Sequence, residues 1–174
     1  FSSEANINLS YIINQKEPKE FSPNNNKFEI DVSDLNEDTH SIRIAAKDSS
    51  DNETISEEYY FIVDKTNPEI YSIEYLYDDK KIEEGSFIGD KDLTIRISHS
   101  VEENISYMYA VSSNIIDEIE WVTFDSSSLN LGAELSTGEN YIYIKIVDSA
   151  KNESKIKKFN LFKDTVQPGS PIIT

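Results

Sequence analysis

The 174-residue chain has no cysteine. Disulfides, thiolate metal sites and cysteine nucleophiles are therefore excluded. Glycine and proline number five each, too few for a collagen-like or low-complexity chain. There is one tryptophan, and there are two histidines. No apolar run reaches the length of a membrane span, and no secretory leader pattern is present. Membrane insertion is not expected of this segment. Positive charge is also scarce: 16 Lys and Arg stand against 33 Asp and Glu, for a net charge of −17. Acids outnumber bases in both halves, so this is not an acidic tail. Such a surface repels nucleic acid and anionic lipid, and neither is an expected partner. It suits solubility, or the binding of cations. The opening at Phe1, without a methionine, is read as that of a processed or excised piece.

What is present is strand chemistry, arranged twice. Ile, Val, Thr, Tyr and Phe are plentiful. "KDSSDNET" at Lys47–Thr54 and "VDSAKNES" at Val147–Ser154 repeat one phrase. Asp48 recurs as Asp148, Asn52 as Asn152, Glu53 as Glu153, Asp64 as Asp164 and Pro68 as Pro168, always 100 residues on. Leu35, Ile42 and Ile44 recur as Leu135, Ile142 and Ile144. In "HSIRIAAKD", residues His40, Ile42, Ile44 and Ala46 fall on one face; "NYIYIKIVD" repeats this with Asn140, Ile142, Ile144 and Ile146. Alternation of this kind predicts strands with one face buried. Polar turns follow, with Asn52 and Asn152 expected in the left-handed conformation. The return strands are expected to bury Tyr59, Phe61 and Val63, and Phe159 and Leu161. Each phrase is thus read as a β-hairpin.

The second copy carries five further predicted strands, "EIYSIEYLY", "DLTIRIS", "ISYMYAV", "EWVTF" and "SLNLGAEL", the spacing of a β-sandwich with little or no helix. The first begins at "INLSYIIN", the counterpart of "ISYMYAV". About a third of a repeat is missing from it, as expected of a chain cut from a longer one. Supply of those strands by a partner at the open sheet edge is the second reading.

Leu35, His40, Ile42, Ile44, Asp48, Asn52, Phe61, Val63, Asp64, Thr66 and Pro68 form a pattern. Leu135, Gly138, Ile142, Ile144, Asp148, Ala150, Asn152, Asp164 and Pro168 repeat it. It resembles the signature "DGxHTITVRATDAAGN … FxVDxTxP" of the immunoglobulin- or fibronectin-III-like repeats of bacterial surface and secreted proteins. The family's turn glycine is Asp51 here and Lys151 in the second copy, and its linker threonine is matched by Thr66 but replaced by Val166. The resemblance implies an all-β protein of tandem Ig-like β-sandwich domains, the first one partial. Residues 1–67 are the C-terminal strands of one repeat, 68–167 a complete repeat, and 168–174 a linker with the start of another. Neighbouring repeats of the same chain are then its partners, and the location is extracellular or on a bacterial cell surface. The implied function is a non-catalytic spacer or stalk. Alternatives are an adhesin module binding a protein or glycan ligand, and an accessory carbohydrate-contacting domain of an extracellular hydrolase.

His40 sits where such folds keep a buried side chain bonded back to a corner, and His99 is placed on a solvated loop. Asp48 and Asp148 are read as caps of their own turns rather than as catalytic acids. Asp64, Asn67, Glu37, Asp38, Glu102 and Glu103 are candidate calcium ligands at an interdomain joint, since calcium takes six to eight oxygens. Trp121 with Tyr71, Tyr75, Tyr77, Tyr107, Tyr109, Tyr141 and Tyr143 offers a sugar-stacking platform, against which cross-strand packing is the favoured reading.

Overall fold

In the computed structural model, residues 7–23, 27–100, 104–115 and 118–169 are described. The chain divides into two compact units, Phe1–Lys65 and Thr66–Thr174. Among the described residues there are strands and turns but no helix. The continuation expected in 168–174 lies mostly outside them.

Unit 1 is one antiparallel sheet. Its strands are β1 (Asn8–Ile13), β2 (Lys19–Phe21), β3 (Asp38–Lys47), β4 (Glu53–Ile55) and β5 (Tyr59–Val63). β3 lies at its centre, with β1 and then β2 on one side, and β4 and β5 in succession on the other. One face carries Leu9, Tyr11, Ile13, Ile42, Ile44 and Phe61, all only half-buried. A second sheet over this face is not among the described residues. The sequence places Tyr59 in a core, yet it is 61% exposed, because among the described residues no second sheet packs over that half of the first.

Unit 2 is a two-layer β-sandwich. β6 (Ile70–Tyr77), β7 (Lys80–Lys81), β9 (Leu93–His99) and β12 (Ser128–Leu131) form a sheet in the order β12-β9-β6-β7. β8 (Phe87–Ile88), β10 (Ser106–Ser112), β11 (Val122–Phe124), β13 (Gly138–Val147) and β14 (Lys157–Lys163) form the other, in the order β11-β10-β13-β14-β8. Period-two alternation turns Leu93, Ile95, Ile97 and Leu131 from one layer onto Ile142, Ile144, Ile146 and Leu161 from the other. Tyr75 stacks on Phe159 across the gap with ring centroids 3.6 Å apart. The burial of Tyr75 pushes its phenol well above the ordinary tyrosine range. β8 was not legible in the sequence. It is two residues long and pairs parallel to β14, Phe162 with Phe87 and Lys163 with Ile88.

The hairpins match between the units. β3 and β13 span the same ten positions 100 residues apart, and β5 and β14 keep the same register: Ile42 faces Tyr59 as Ile142 faces Phe159.

Candidate functional site

Three small polar constellations recur in both units, and each holds backbone. The first is the hairpin turn. Asp48 Oδ1 accepts the Asn52 and Ser50 amides at 2.9 and 2.8 Å, and its Oδ2 accepts Asn52 Nδ2 at 2.8 Å. Asp148 accepts the Asn152 amide at 2.8 Å and Asn152 Nδ2 at 2.9 Å. Both aspartates therefore cap their own turns. The left-handed residue is not the asparagine but its predecessor, Asp51 at φ 68° and Lys151 at φ 74°. The asparagine is instead the clamp that ties the turn to the aspartate, and the strained position is the one where the resembling family keeps glycine.

Hydrogen bonds donated by Asn52 hold the Asp48 carboxyl below its ordinary value of 3.8. A folded value below the unfolded one adds stability that is complete above the unfolded value and is lost as pH falls through the folded one. The thermal midpoint is accordingly expected to fall as the pH is lowered through and below the ordinary value of 3.8. Asn52→Ala should shrink Asp48's share of that fall. A titration of the Asp48 carboxyl by NMR in both variants checks this.

The second constellation is the corner before the central strand. His40 is buried, with Nε2 2.8 Å from the Asn36 carbonyl and Nδ1 2.7 Å from Asn14 Nδ2. Asn14 Oδ1 accepts the Ser41 amide, so its Nδ2 is the donor to His40 and the Nε2 proton goes to Asn36. In unit 2 the same position is Asn140, 1% exposed. Asn140 accepts the Ser136 amide at 2.9 Å and donates to the Ser136 and Gly138 carbonyls at 2.7 and 3.0 Å.

The third was missed in the sequence. Each hairpin slips by one residue at a bulge, after Ser56 in unit 1 and after Ser154 in unit 2. Ser56 Oγ accepts the Ile44 amide and Ser154 Oγ the Ile146 amide, each at 3.0 Å. Each hydroxyl also donates to the next carbonyl, of Glu57 or Lys155. A serine shortly after each repeated Asn-Glu was the available signal, but the bulges stand two positions apart relative to the repeat, which hid it.

The richest cluster of charged and aromatic groups is the outer face of the β13 sheet. Lys145 is buried, its Nζ 2.7 Å from Glu153 Oε1 and 4.6 Å from the Trp121 ring centre. Lys158 Nζ stands 4.5 Å over the Tyr141 ring. The sequence places Tyr143 outward; it does point to this face but is only 5% exposed. Among the described residues its hydroxyl has no hydrogen-bond partner. Trp121 and Tyr141 thus have their faces occupied by the protein's own ammonium groups, an arrangement that braces the sheet rather than offering rings to a sugar. Tyr143→Phe removes an orphaned buried hydroxyl and is expected to leave the melting midpoint unchanged or raise it. Calorimetry of the single variant checks the sign.

The remaining candidates divide. His99 is not on a solvated loop: it ends β9, half-buried, with Nε2 2.6 Å from Tyr107 Oη and Nδ1 2.6 Å from the Ser100 carbonyl. Asp38 Oδ1 accepts the Thr39 amide at 2.7 Å. Among the described residues no three His, Asp or Glu side chains converge on a metal-sized site. Of the calcium candidates, Glu102 and Glu103 lie outside those residues, while Glu37 and Asp64 are engaged in interactions of their own.

Among known structures that resemble the chain, one shows what the likeness consists of. The chain is similar to the fibronectin(III)-like modules of CbhA from Clostridium thermocellum, with a TM-score of 0.59, covering 99% of this chain and 87% of that one. The likeness is one of fold. Sequence identity is 10%, and no protein-family model and no curated protein matches the chain. The all-β architecture expected from the alternation is thereby established, and the fold is fibronectin(III)-like.

Proposed function

We propose that the chain is a non-catalytic structural module, built by duplication of one β-sandwich unit, that serves as a spacer in an exported bacterial protein. The observation that carries this reading is the recurrence, 100 residues apart, of the turn clamp and the corner side chain, with the bulge serine close to the same interval. The repeated polar groups are all committed to holding backbone, which is what selection for a durable shape preserves. The fold likeness to fibronectin(III)-like modules supports a structural or accessory role. An extracellular location is what the resemblance to repeats of bacterial surface and secreted proteins implies, and the fibronectin(III)-like fold is in keeping with it.

Stretching single molecules by force tests the spacer role, together with a binding screen on polysaccharides and matrix proteins. A spacer unfolds as discrete units under load and shows no saturable binding. Saturable binding that maps to surface side chains replaces the spacer with an adhesin or carbohydrate-contacting module. The calcium joint is a separate proposal. It requires the melting midpoint to rise with calcium and to fall with chelator, and an unchanged midpoint removes it.

A further inference from the structure

Unit 2 leaves unguarded a strand edge that unit 1 guards. β11 ends its sheet, and among the described residues no strand pairs with its outer side. The register gives the direction of its backbone groups. Ile146 and Asp148 turn theirs toward the return strand, since the Ile146 carbonyl accepts the Ser154 N–H and the Asp148 N–H goes to the Asn152 carbonyl. Lys145 and Val147 therefore bond β10 through Met108 and Ser106, which leaves Tyr107 and Tyr109 to bond Phe124 and Val122 of β11. Thr123, between those two, points its N–H and C=O outward.

The matching strand of unit 1 is β2. Leu9 faces Ala46 as Tyr107 faces Ile146, so Lys19, Glu20 and Phe21 stand where unit 2 has Val122, Thr123 and Phe124. Charged side chains with a proline beside them, here Pro18, protect an edge against a further strand. β11 has none of these. Val122 lies opposite Tyr109, which packs on the core, yet Val122 is 49% exposed. Its uncovered side is the lip where another strand would lie.

We propose that β11 pairs with β11 of a second copy of this chain, antiparallel about a two-fold axis through Thr123, joining their two five-stranded sheets. The strand is complementary to itself in this register. The two Thr123 residues exchange N–H and C=O bonds across the axis. Val122 of each copy packs beside Phe124 of the other on the core-facing side, and Thr123 meets Thr123 on the outer side, both pairings that favour a sheet. Asp125 comes opposite Trp121 and Glu120 opposite Ser126, so no two acids face each other. The contact is isologous and closes at two copies. One short strand buries far less than the about 1,200–2,000 Å² of a stable interface, and each copy carries a charge of −17. The dimer is therefore weak, and it strengthens as salt screens the repulsion.

Sedimentation and amide hydrogen exchange of the full chain, from about 20 µM to about 2 mM, test this. The expected result is a monomer–dimer equilibrium with a Kd of about 0.1–1 mM, tighter at about 0.3 M salt than at about 0.05 M. Exchange at the Thr123 amide should slow by about threefold or more over that concentration range. A mixture of isotope-labelled and unlabelled chains should show contacts between Val122 of one copy and Phe124 of the other. Val122→Lys combined with Thr123→Glu gives β11 the residues of β2, and should weaken association by about tenfold or more with the melting midpoint unchanged. Thr123→Pro should do the same, because that N–H takes no part in the ladder with β10. A chain that stays monomeric at the highest concentration overturns the proposal, as does association that leaves Thr123 exchange unchanged or survives both variants. Protection of Thr123 that does not depend on concentration also overturns it, since the edge would then be covered from within the chain.

Discussion

Ile144→Ala is expected to lower the stability of unit 2 by about 2–5 kcal/mol, the range for emptying a buried aliphatic site. Ile144 is fully buried at the middle of β13, between two layers that both contribute side chains to the core. Removing three methyl or methylene groups there leaves a void that Leu93, Ile95 and Ile142 cannot close without breaking the strand ladder. Trp121, the single tryptophan, lies on the opposite face of the same sheet near Lys145, so its fluorescence reports the denaturation midpoint directly. The matched variant in unit 1, Ile44→Ala, is expected to cost far less, about 1 kcal/mol. Ile44 occupies the same register but is only half-buried, and solvent already reaches part of it. The change is read from the amide signals of β3. Equal losses at the two positions would mean that unit 1 has a covering layer in solution.

Asn140→Ala is expected to cost about 2–4 kcal/mol, although the residue is polar and not part of the apolar core. The side chain is almost wholly buried and makes three hydrogen bonds to the Ser136–Gly138 corner. Its loss removes three hydrogen bonds, each worth about 0.5–1.5 kcal/mol net, and leaves the space of a buried side chain behind. Asn140→Asp separates hydrogen bonding from size, because a carboxylate keeps the acceptor but cannot donate to the two carbonyls. It should destabilise nearly as much at neutral pH and recover partly as acid protonates it. Urea denaturation of the three proteins at pH 7 and pH 4 checks both statements. A cost below about 0.5 kcal/mol for Asn140→Ala would mean that water replaces the side chain at the corner.

Legibility in the sequence followed the range of the forces involved. The strand alternation in β3, β9, β13 and β14, and the turn aspartates, depend on neighbours a few residues away, so their pattern is written locally. Asp48 and Asp148 read correctly as caps because an Asx turn closes within four residues. His99 read wrongly because its partner, Tyr107, stands on the next strand, and a side chain at a strand end takes its environment from whatever packs across from it. The left-handed position was misplaced by one residue for a related reason. Asn is the usual choice for such a backbone, but here its amide is bound to Asp48 or Asp148, and the turn passes the strain to Asp51 and Lys151.

The outer face of β13 shows the same limit from another side. Tyr143 and Lys145 alternate with core isoleucines, so the strand pattern turns them to the outer face. Burial there comes from Trp121, 24 residues away in sequence from Lys145, and from the Glu153 carboxylate across the turn. No periodicity in β13 encodes that. The two-residue β8 is an extreme case, since a parallel pair is stabilised by a strand from the far end of the unit and carries almost no local signature.

By itself the sequence determined the all-β class, the 100-residue recurrence, the central hairpin with its capped turn, and the absence of thiol chemistry. These follow from side-chain parity, short-range hydrogen bonding and composition. The tertiary structure alone decided which alternating faces are sealed and which stay open. It set Phe159 into a stack with Tyr75 while leaving its counterpart Tyr59 exposed, and it covered the edge of β14 while leaving that of β5 bare among the described residues. The physical reason is that alternation states only that a face is apolar. Whether that face becomes a core depends on a second layer arriving from elsewhere in the chain, or from another molecule.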